Sequence, residues 1–324
     1  MVSSMSNMSI KHLLASSLFV LTTVLSPLAQ AEKTLTAAVP VPADSVWGKV
    51  FSRYVETVDN VSGGELKIRV IGPESLPARE QINSVRSGII DILSTFPGAY
   101  RSAFPEANVQ EISNISLDEQ KENGSYDKLK AVINKRFDAE VLSTYALGVP
   151  FHIYLNKEIK TQSDLEGIRL RSSELSQALL RKVKAQQIDV PIPEVFTALE
   201  RKMVDGYAFN ILGIDDMGWE GMTHYRVDPG FYSTVFNIML SNKSKSKMTD
   251  QELEYLREAA KVFEENIQIE LKEMVSAEYK RQESIGIKSI DLGEAFPEMA
   301  RQVYWDELTK KSDFAVELKA LMNK

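Results

Sequence analysis

The sequence predicts an α/β protein with two domains, and three observations carry that prediction. Segments with the two-residue period of strands alternate with segments of helical period from residue 34 to about 212, as in α/β folds with mainly parallel sheets. A long helical segment without Pro or Gly follows from Thr249 to about Gln282. The chain has 324 residues and no cysteine. A chain of this length buries about three quarters of its unfolded surface, which suffices for two cores without disulfides.

The first residues predict a cleaved signal peptide at 1–31. A positive charge at Lys11 precedes an apolar stretch from Leu13 to Ala29, and Ala29-Gln30-Ala31 has the small residues of a cleavage site. The alternative is a membrane anchor, which needs about 20 apolar residues without the proline found here. No cysteine follows the cleavage site, which excludes a lipoprotein anchor. The mature protein is expected to begin near Glu32 and to have no membrane span.

Composition excludes several classes of function. The formal net charge is −7 and the basic residues are dispersed, whereas nucleic-acid binding needs a basic stripe. Beyond the predicted signal peptide the chain has two histidines, His152 and His224, and no spaced carboxylate cluster, so we expect no metal site. The sequence has no G-x-S-x-G elbow, cysteine nucleophile or G-x-G-x-x-G after a strand. We therefore assign no catalytic residue and no cofactor.

The first βαβ unit spans about forty residues. Thr34–Val39 and Glu65–Ile71 alternate apolar and polar side chains, which predicts two half-buried strands. Between them, Ser45–Val58 has apolar residues at helical spacing and ends at Ser62-Gly63-Gly64. The same patterns predict a helix at Arg79–Arg86 and strands at Ile89–Ser94, Val141–Leu147 and Phe151–Leu155.

A second unit of this kind covers Ser163 to about Leu212. Its strand, Gly167–Arg171, is followed by Ser172-Ser173-Glu174, which has the composition of a helix N-cap with an acidic first turn. A further helix opens at Pro193-Glu194, and Asp205-Gly206 turns the chain into another strand.

The helical segment from Thr249 begins with capping-box spacing, because Glu252 lies three residues after the threonine. At 1.5 Å per residue it is about 50 Å long, longer than one compact domain needs, so we expect it to span both domains. The alternative is two helices with a break near Ser276.

The order of these segments resembles the solute-binding proteins of tripartite ATP-independent periplasmic (TRAP) transporters of the DctP type. Each motif alone is weak, but the order is specific and covers about residues 34 to 290. The matching segments are Gly64–Val70 with Gly72–Pro77, Val85–Ile92, Ser163–Arg171, Pro193–Gly206 and Ser241–Lys243.

The resemblance implies a two-lobed periplasmic binding protein fold with a long helix spanning both lobes. By this reasoning residues 32–152 and about 238–275 form lobe I, and residues 153–237 and about 276–324 form lobe II. The implied protein is a periplasmic monomer that captures a small organic carboxylate and delivers it to the TRAP membrane subunits.

In such proteins the arginine that ends the strand after the Asp-Leu-x-Gly turn holds the ligand carboxylate, and here that residue is Arg171. The residues themselves agree, because an arginine at the carboxyl end of a strand places a bidentate donor beside unpaired backbone N–H groups. The alternative is a surface arginine on an edge strand.

Two departures from the family pattern bear on the ligand. Many members follow Asp-Gly with Gln-Glu-Asn-Pro, and Phe209 stands where that Asn faces the ligand. Phe151 stands where many members carry a second arginine, a few residues before Asn156. A ligand with an apolar or aromatic body is therefore expected. The other candidate ligand residues are the aromatic Trp47, Phe96, Tyr100, Trp219 and Tyr232 and the polar His152 and Asn237.

Each aromatic candidate has the alternative of being an ordinary core residue, because buried Phe and Trp most often are. Two other functions stay open. One is a periplasmic lyase or hydrolase with a two-lobed cleft, and the other is a ligand-presenting partner of a membrane sensor. Neighbouring genes for two membrane subunits would favour transport, and a sensor kinase gene would favour signalling.

Overall fold

The computed structural model describes residues 32–324, so the predicted signal peptide lies outside the described residues. The described chain forms two mixed sheets with helices packed on them, which confirms the α/β prediction. The strands are β1 Lys33–Ala38, β2 Leu66–Ile71, β3 Ile92–Thr95, β4 Ala139–Tyr145, β5 Phe151–Leu155, β6 Arg169–Ser172, β7 Gln186–Asp189, β8 Gly206–Asn210, β9 Tyr225–Asp228, β10 Phe236–Ser241 and β11 Lys288–Asp291. The helices are α1 Val46–Val61, α2 Ala78–Ser87, α3 Leu117–Glu122, α4 Ser125–Phe137, α5 Gln177–Lys182, α6 Val195–Glu200, α7 Asn242–Lys245, α8 Asp250–Ser284, α9 Ala295–Thr309 and α10 Asp313–Met322.

The first lobe is built on a five-stranded sheet in the order β2-β1-β3-β10-β4. The pairs of β1 with β2 and β3 are parallel, and β10 is antiparallel to both of its neighbours. Helix α1 begins at a serine cap, since the side chain of Ser45 accepts from the N–H of Gly48. Its apolar face, with Phe51 and Tyr54, packs into the core of this lobe.

The second lobe is built on a six-stranded sheet in the order β11-β9-β5-β8-β6-β7. Here β5 is the antiparallel strand, paired with β8 and β9. Each sheet thus holds one reversed strand, so the sheets are mixed rather than mainly parallel. The physical reason is the chain path, because β5 and β10 each follow a segment that crosses between the lobes.

The two crossing segments, residues 146–150 and 229–235, pair with each other. The N–H of Phe151 donates to the carbonyl of Tyr232 at 2.9 Å, and the N–H of Thr234 donates to that of Val149 at 2.8 Å. The lobes are therefore joined by a short antiparallel ribbon.

Helix α8 is a single helix from Asp250 to Ser284, so the alternative of a break near Ser276 is wrong. Its capping box is present, because Thr249 accepts from the N–H of Glu252 and the Glu252 side chain accepts from that of Thr249. The first half contacts the first lobe, where Ser143 donates to Glu264 at 3.1 Å. The second half contacts the second lobe, where Arg226 donates to Gln282 at 2.9 Å. The prediction that one helix spans both lobes is confirmed.

The C-terminal helix α10 contacts both lobes. It packs on α9 of the second lobe, while Ser113 of the first lobe donates to the carbonyl of Met322 at 2.8 Å. Asn123, also in the first lobe, donates to the carbonyl of Leu321 at 2.9 Å. The boundaries of the lobes given above stay a prediction.

Two elements begin three residues later than predicted, and the others begin within two residues of the predicted position. Strand β3 begins at Ile92 rather than Ile89, because α2 ends at Gly88 with a left-handed φ of 72° and Ile89 is then 73% exposed. Helix α5 begins at Gln177 rather than after Ser173. The reason is a side-chain turn, in which the hydroxyl of Ser176 donates to the carbonyl of Ser173.

Candidate functional site

Arg171 lies near the carboxyl end of β6, and its guanidinium is largely unpaired. Its Nε donates to the carbonyl of Val190 at 3.0 Å, and within residues 32–324 this is its one hydrogen bond, with no ion pair. The residue is 7% exposed. Burial lowers the pKa of the Arg171 guanidinium, and the charge of Asp189 only partly offsets this. A buried cation without a partner is costly unless it binds an anion.

Aromatic side chains lie on the same face of the sheet as Arg171. Strand β6 pairs with β8 so that Arg171 is in register with Tyr207. Because side chains alternate along a strand, Phe209 points to that face as well. The ring of Phe209 lies 5.0 Å from that of Trp219 and 6.5 Å from that of Phe151. The predicted residues Phe209, on β8, and Trp219, in the loop after it, thus lie together on this face. Phe151 lies on β5 in register with Asn210, so its side chain leaves the sheet from the opposite face, although its ring approaches that of Phe209.

Two of the predicted aromatic residues of the first lobe contact Phe236, which the sequence patterns did not reveal. Trp47 stacks on Phe236 with 4.8 Å between ring centroids, and Phe96 meets it edge to face at 5.8 Å. Trp47 is buried and Phe96 is half-buried. Phe236 had no local signal, because every residue of its strand is buried, so no alternation of buried and exposed positions singles it out.

The polar groups of Tyr100, Asn237 and Tyr232 are engaged within the fold. Asn237 donates to the hydroxyl of Tyr100 at 2.9 Å and accepts from Thr144 at 2.6 Å. The hydroxyl of Tyr232 donates to the carbonyl of Ala300 at 2.8 Å. These bonds place the three residues in the core, and contact with a ligand stays a prediction for each.

His152 is fully buried in a polar network that ties α8 to the second lobe. Its Nδ1 lies 3.0 Å from the carboxylate of Asp228, and its Nε2 lies 2.9 Å from the hydroxyl of Tyr279 on α8. Arg226 donates to Asp228 through two nitrogens and to Gln282 on α8 at 2.9 Å.

Burial opposes ionisation of Asp228, but hydrogen bonds from His152 and Arg226 outweigh burial and hold the pKa of the carboxyl well below its usual range. The network is therefore charged and internally satisfied. A ligand role for His152 stays a prediction, and the arrangement itself accounts for the residue as a link between β5 and α8.

Two cavities lie on the surface away from these residues. One of about 560 Å³ lies beside α4 and α7, and one of about 910 Å³ lies between α3 and α8. None of the residues predicted for the ligand lines either cavity. Within the described part of the chain, no cluster of His, Asp and Glu could hold a metal ion, and no helix is long and apolar enough to cross a membrane.

Two α/β lobes joined by a crossing ribbon and a shared helix, with an unpaired buried arginine at a strand end, define a solute-binding protein of the periplasmic class. The family model that matches is the bacterial extracellular solute-binding protein, family 7 (DctP), over residues 37–311. The chain belongs to this family, that of the TRAP transporter solute-binding proteins.

Two curated proteins are similar in sequence. One, from Haemophilus influenzae, has no described function and is 24% identical over 83% of this chain and 85% of its own length. The other is the 2,3-diketo-L-gulonate-binding periplasmic protein YiaO of Escherichia coli. It is 26% identical over 47% of this chain and 49% of its own length.

Solved structures share the fold at low sequence identity. A TRAP periplasmic solute-binding protein from Desulfovibrio desulfuricans with bound sn-glycerol-3-phosphate has a TM-score of 0.80 and 16% identity, over 90% of this chain and 96% of that chain. One from Haemophilus influenzae with bound L-gulonate has a TM-score of 0.77 and 21% identity, over 89% and 99%. A solute receptor from Bordetella pertussis that binds pyroglutamic acid has a TM-score of 0.78 and 15% identity, over 90% and 99%. These likenesses concern the fold alone.

Proposed function

We propose that this protein captures a small organic carboxylate in the periplasm and delivers it to the membrane subunits of a TRAP transporter. The observation that carries the proposal is the guanidinium of Arg171, 7% exposed at the carboxyl end of β6, which has one hydrogen bond and no ion pair within the described residues. A carboxylate accepts two parallel hydrogen bonds from such a fork. Related proteins bind L-gulonate and pyroglutamic acid, both of which carry a carboxylate. The protein acts after removal of residues 1–31, as a monomer and without catalysis.

The aromatic neighbours of Arg171 support a ligand with an apolar or aromatic body. Phe209 is half-buried and offers an apolar face for packing and no partner for the hydroxyl groups of a sugar acid, whereas Trp219 is 1% exposed and packs behind it. Each unpaired hydroxyl would cost about 1–3 kcal/mol. The substitution Phe209→Asn tests this directly, because it restores the polar residue of the family pattern. We expect it to weaken binding of aromatic acids and to strengthen binding of sugar acids.

The experiment is a thermal-shift panel of aromatic acids, aliphatic acids, dicarboxylates and sugar acids on the mature protein. Ligand at a hundredfold excess over its Kd stabilises the folded state by about 2.7 kcal/mol, which raises Tm. Arg171→Ala should cost about 2–5 kcal/mol of binding free energy, and Arg171→Lys should also impair binding because an ammonium lacks the planar fork.

A matched control lies two residues away on the same strand. Arg169 is paired, since it donates to Asp205 at 2.7 Å and 3.0 Å. Arg169→Ala should lower the Tm of the ligand-free protein and keep the ligand response. Arg171→Ala should raise the Tm of the ligand-free protein, because it removes a buried charge that has no ionic partner among the described residues, and it should remove the ligand response. Full affinity in Arg171→Ala would refute the carboxylate argument, and a chemically altered ligand recovered after incubation would favour the enzyme.

A further inference from the structure

A loop of the second lobe reaches across to the first helix of the first lobe. Residues 211–218, the strap, follow β8 of the six-stranded sheet, whereas α1 packs in the core of the first lobe. The Oδ2 of Asp216, on the strap, accepts a hydrogen bond from the N–H of Val46, the first residue of α1, at 2.7 Å. This bond joins the two lobes at a point outside the crossing ribbon and α8.

The first turn of α1 has no acidic residue of its own. The side chain of Ser45 satisfies the N–H of Gly48. The N–H of Val46 has no acceptor within the helix, because the first donors of a helix lie beyond its own carbonyls. A carboxylate here also interacts favourably with the positive end of the helix dipole. Asp216 therefore completes, from the other lobe, a cap that the local sequence of α1 leaves incomplete.

The strap lies close against α1 because it contains Gly213. The φ of this residue is 97°, in the left-handed region that favours glycine, and a Cβ here would lie 3.3 Å from the Cγ1 of Val46. Ile211 and Leu212, at the start of the strap, are buried in the same apolar cluster as α1. The strap thus packs on the first lobe, and Asp216 is the polar end of that contact.

The strap borders residues predicted for the ligand. Trp47 is the second residue of α1, and the strap follows the strand that carries Phe209. A further contact joins the lobes, where Arg101 of the first lobe lies 3.4 Å from the carboxylate of Glu174, just after β6. The side chain of Glu174 is 61% exposed, so this ion pair contributes little. The strap is the stronger of the two contacts.

The hydrogen bond of Asp216 is opposed by its surroundings. Partial burial raises the pKa of the Asp216 carboxyl, and the charges of Asp215 and Asp44 act in the same direction. The N–H of Val46 and the charge of Lys49 act to lower it. The contact is therefore weak, as a contact that opens and closes in solution has to be.

We propose that Asp216 is a latch, which favours the closed arrangement of the lobes by capping α1 from the opposite lobe. The inference goes beyond the proposed function, and it holds whichever carboxylate binds at Arg171. The acceptor oxygen of Asp216 matters more than its charge, because the N–H of Val46 needs an acceptor while the neighbouring aspartates oppose the charge. A neutral amide at position 216 should therefore keep the latch.

The test measures the distance between the lobes in the ligand-free mature protein. The chain has no cysteine, so Asn60→Cys on α1 and Glu200→Cys on α6 attach two spin labels at unique, exposed positions. Helix α6 lies against the strap, where a Cβ on Gly218 would lie 3.5 Å from the ring of Phe196. Pulsed electron double resonance then gives the fractions with a short distance, which is the closed form, and with a long distance, which is the open form.

Asp216→Ala should lower the ratio of closed to open protein about two- to tenfold, the range for the loss of one hydrogen bond. Asp216→Asn should keep the ratio or raise it, because the amide oxygen accepts from Val46 without the repelled charge. Asp215→Ala is the matched control, since Asp215 is the exposed neighbour on the strap and its charge opposes the latch. It should not lower the ratio.

An unchanged ratio in Asp216→Ala would overturn the latch, and so would a wild type without a closed fraction. An equal loss in Asp216→Asn and Asp216→Ala would overturn the role of the acceptor oxygen. These results leave the proposed function intact, because the thermal shift of Arg171→Ala tests that function separately.

Discussion

Glu111 predicts an unusual dependence of stability on pH. The side chain is 5% exposed at the junction of the two lobes, with Arg101 and the rings of Tyr100, Tyr232 and Tyr304 nearby. Burial raises the pKa of its carboxyl from 4.5 to about 8 in the folded protein. In the unfolded chain the carboxyl is solvated and titrates near its ordinary value.

The sign follows from which state holds the proton. Below about pH 4.5 the carboxyl is protonated in both states, and its contribution to stability is fully present. Between pH 4.5 and about 8 the folded state keeps the proton that the unfolded chain releases, so stability falls by about 1.4 kcal/mol per pH unit. Above about pH 8 the loss is complete. The whole window corresponds to at most about 5 kcal/mol, a large fraction of the stability of a typical domain.

The perturbation is Glu111→Gln, which keeps the size of the side chain and is neutral at every pH. We expect the variant to match the wild type near pH 4.5 and to be several kcal/mol more stable at pH 8. The assay is urea unfolding followed by circular dichroism at half-unit steps from pH 4.5 to 8.5. Glu122→Gln, at an exposed position in α3, is the control and should follow the wild type. Parallel curves for Glu111→Gln and the wild type would refute the reasoning, because they would show that the folded protein ionises Glu111 normally.

Three further substitutions test the fold, each by urea unfolding. Gly206→Ala should lower the free energy of unfolding by about 1–3 kcal/mol, because the added Cβ would lie 2.1 Å from the carbonyl oxygen of Tyr154. An unchanged urea midpoint would contradict the close strand packing. Thr249→Ala removes the capping box of α8 and should lower the free energy of unfolding by about 1 kcal/mol. An unchanged free energy of unfolding would show that the cap does not stabilise the fold. Asp228→Asn leaves Arg226, which is 2% exposed, without its counter-charge and should cost about 3–5 kcal/mol at pH 7. Because folding lowers the pKa of Asp228, the wild type should lose stability as the pH falls below about 4. If Asp228→Asn loses stability over the same acidic range by the same amount, Asp228 is not the cause of that loss.

Local patterns predicted the elements whose local and tertiary preferences agree. The predicted strand Phe151–Leu155 is β5, and the helix predicted from Thr249 to Gln282 is α8 within two residues of each end. Both have clear signals at their ends. Ile89 shows the opposite case, because an apolar residue that is exposed after a left-handed glycine looks the same in sequence as the first residue of a buried strand.

The reversed strands were missed for a different reason. Alternation of strands and helices predicts parallel pairing when each helix returns the chain to the same end of its sheet. Strands β5 and β10 follow crossing segments without a helix, so each enters its sheet in the opposite direction. Sequence spacing records the length of such a connection and not the sheet that it reaches.

The residues of the candidate site differ in how far sequence can reveal them. Arg171 is found locally, because the Asp-Leu-x-Gly turn, the strand and the arginine follow one another within nine residues, 163–171. Trp47 and Phe236 are far apart in the chain and stack only because β10 joins the first sheet between β3 and β4. No period or motif marks either residue as part of a site, and their contact appears only in three dimensions. If Arg171 holds the ligand carboxylate, the choice among carboxylates depends on side chains of this second kind, which motif comparison does not place.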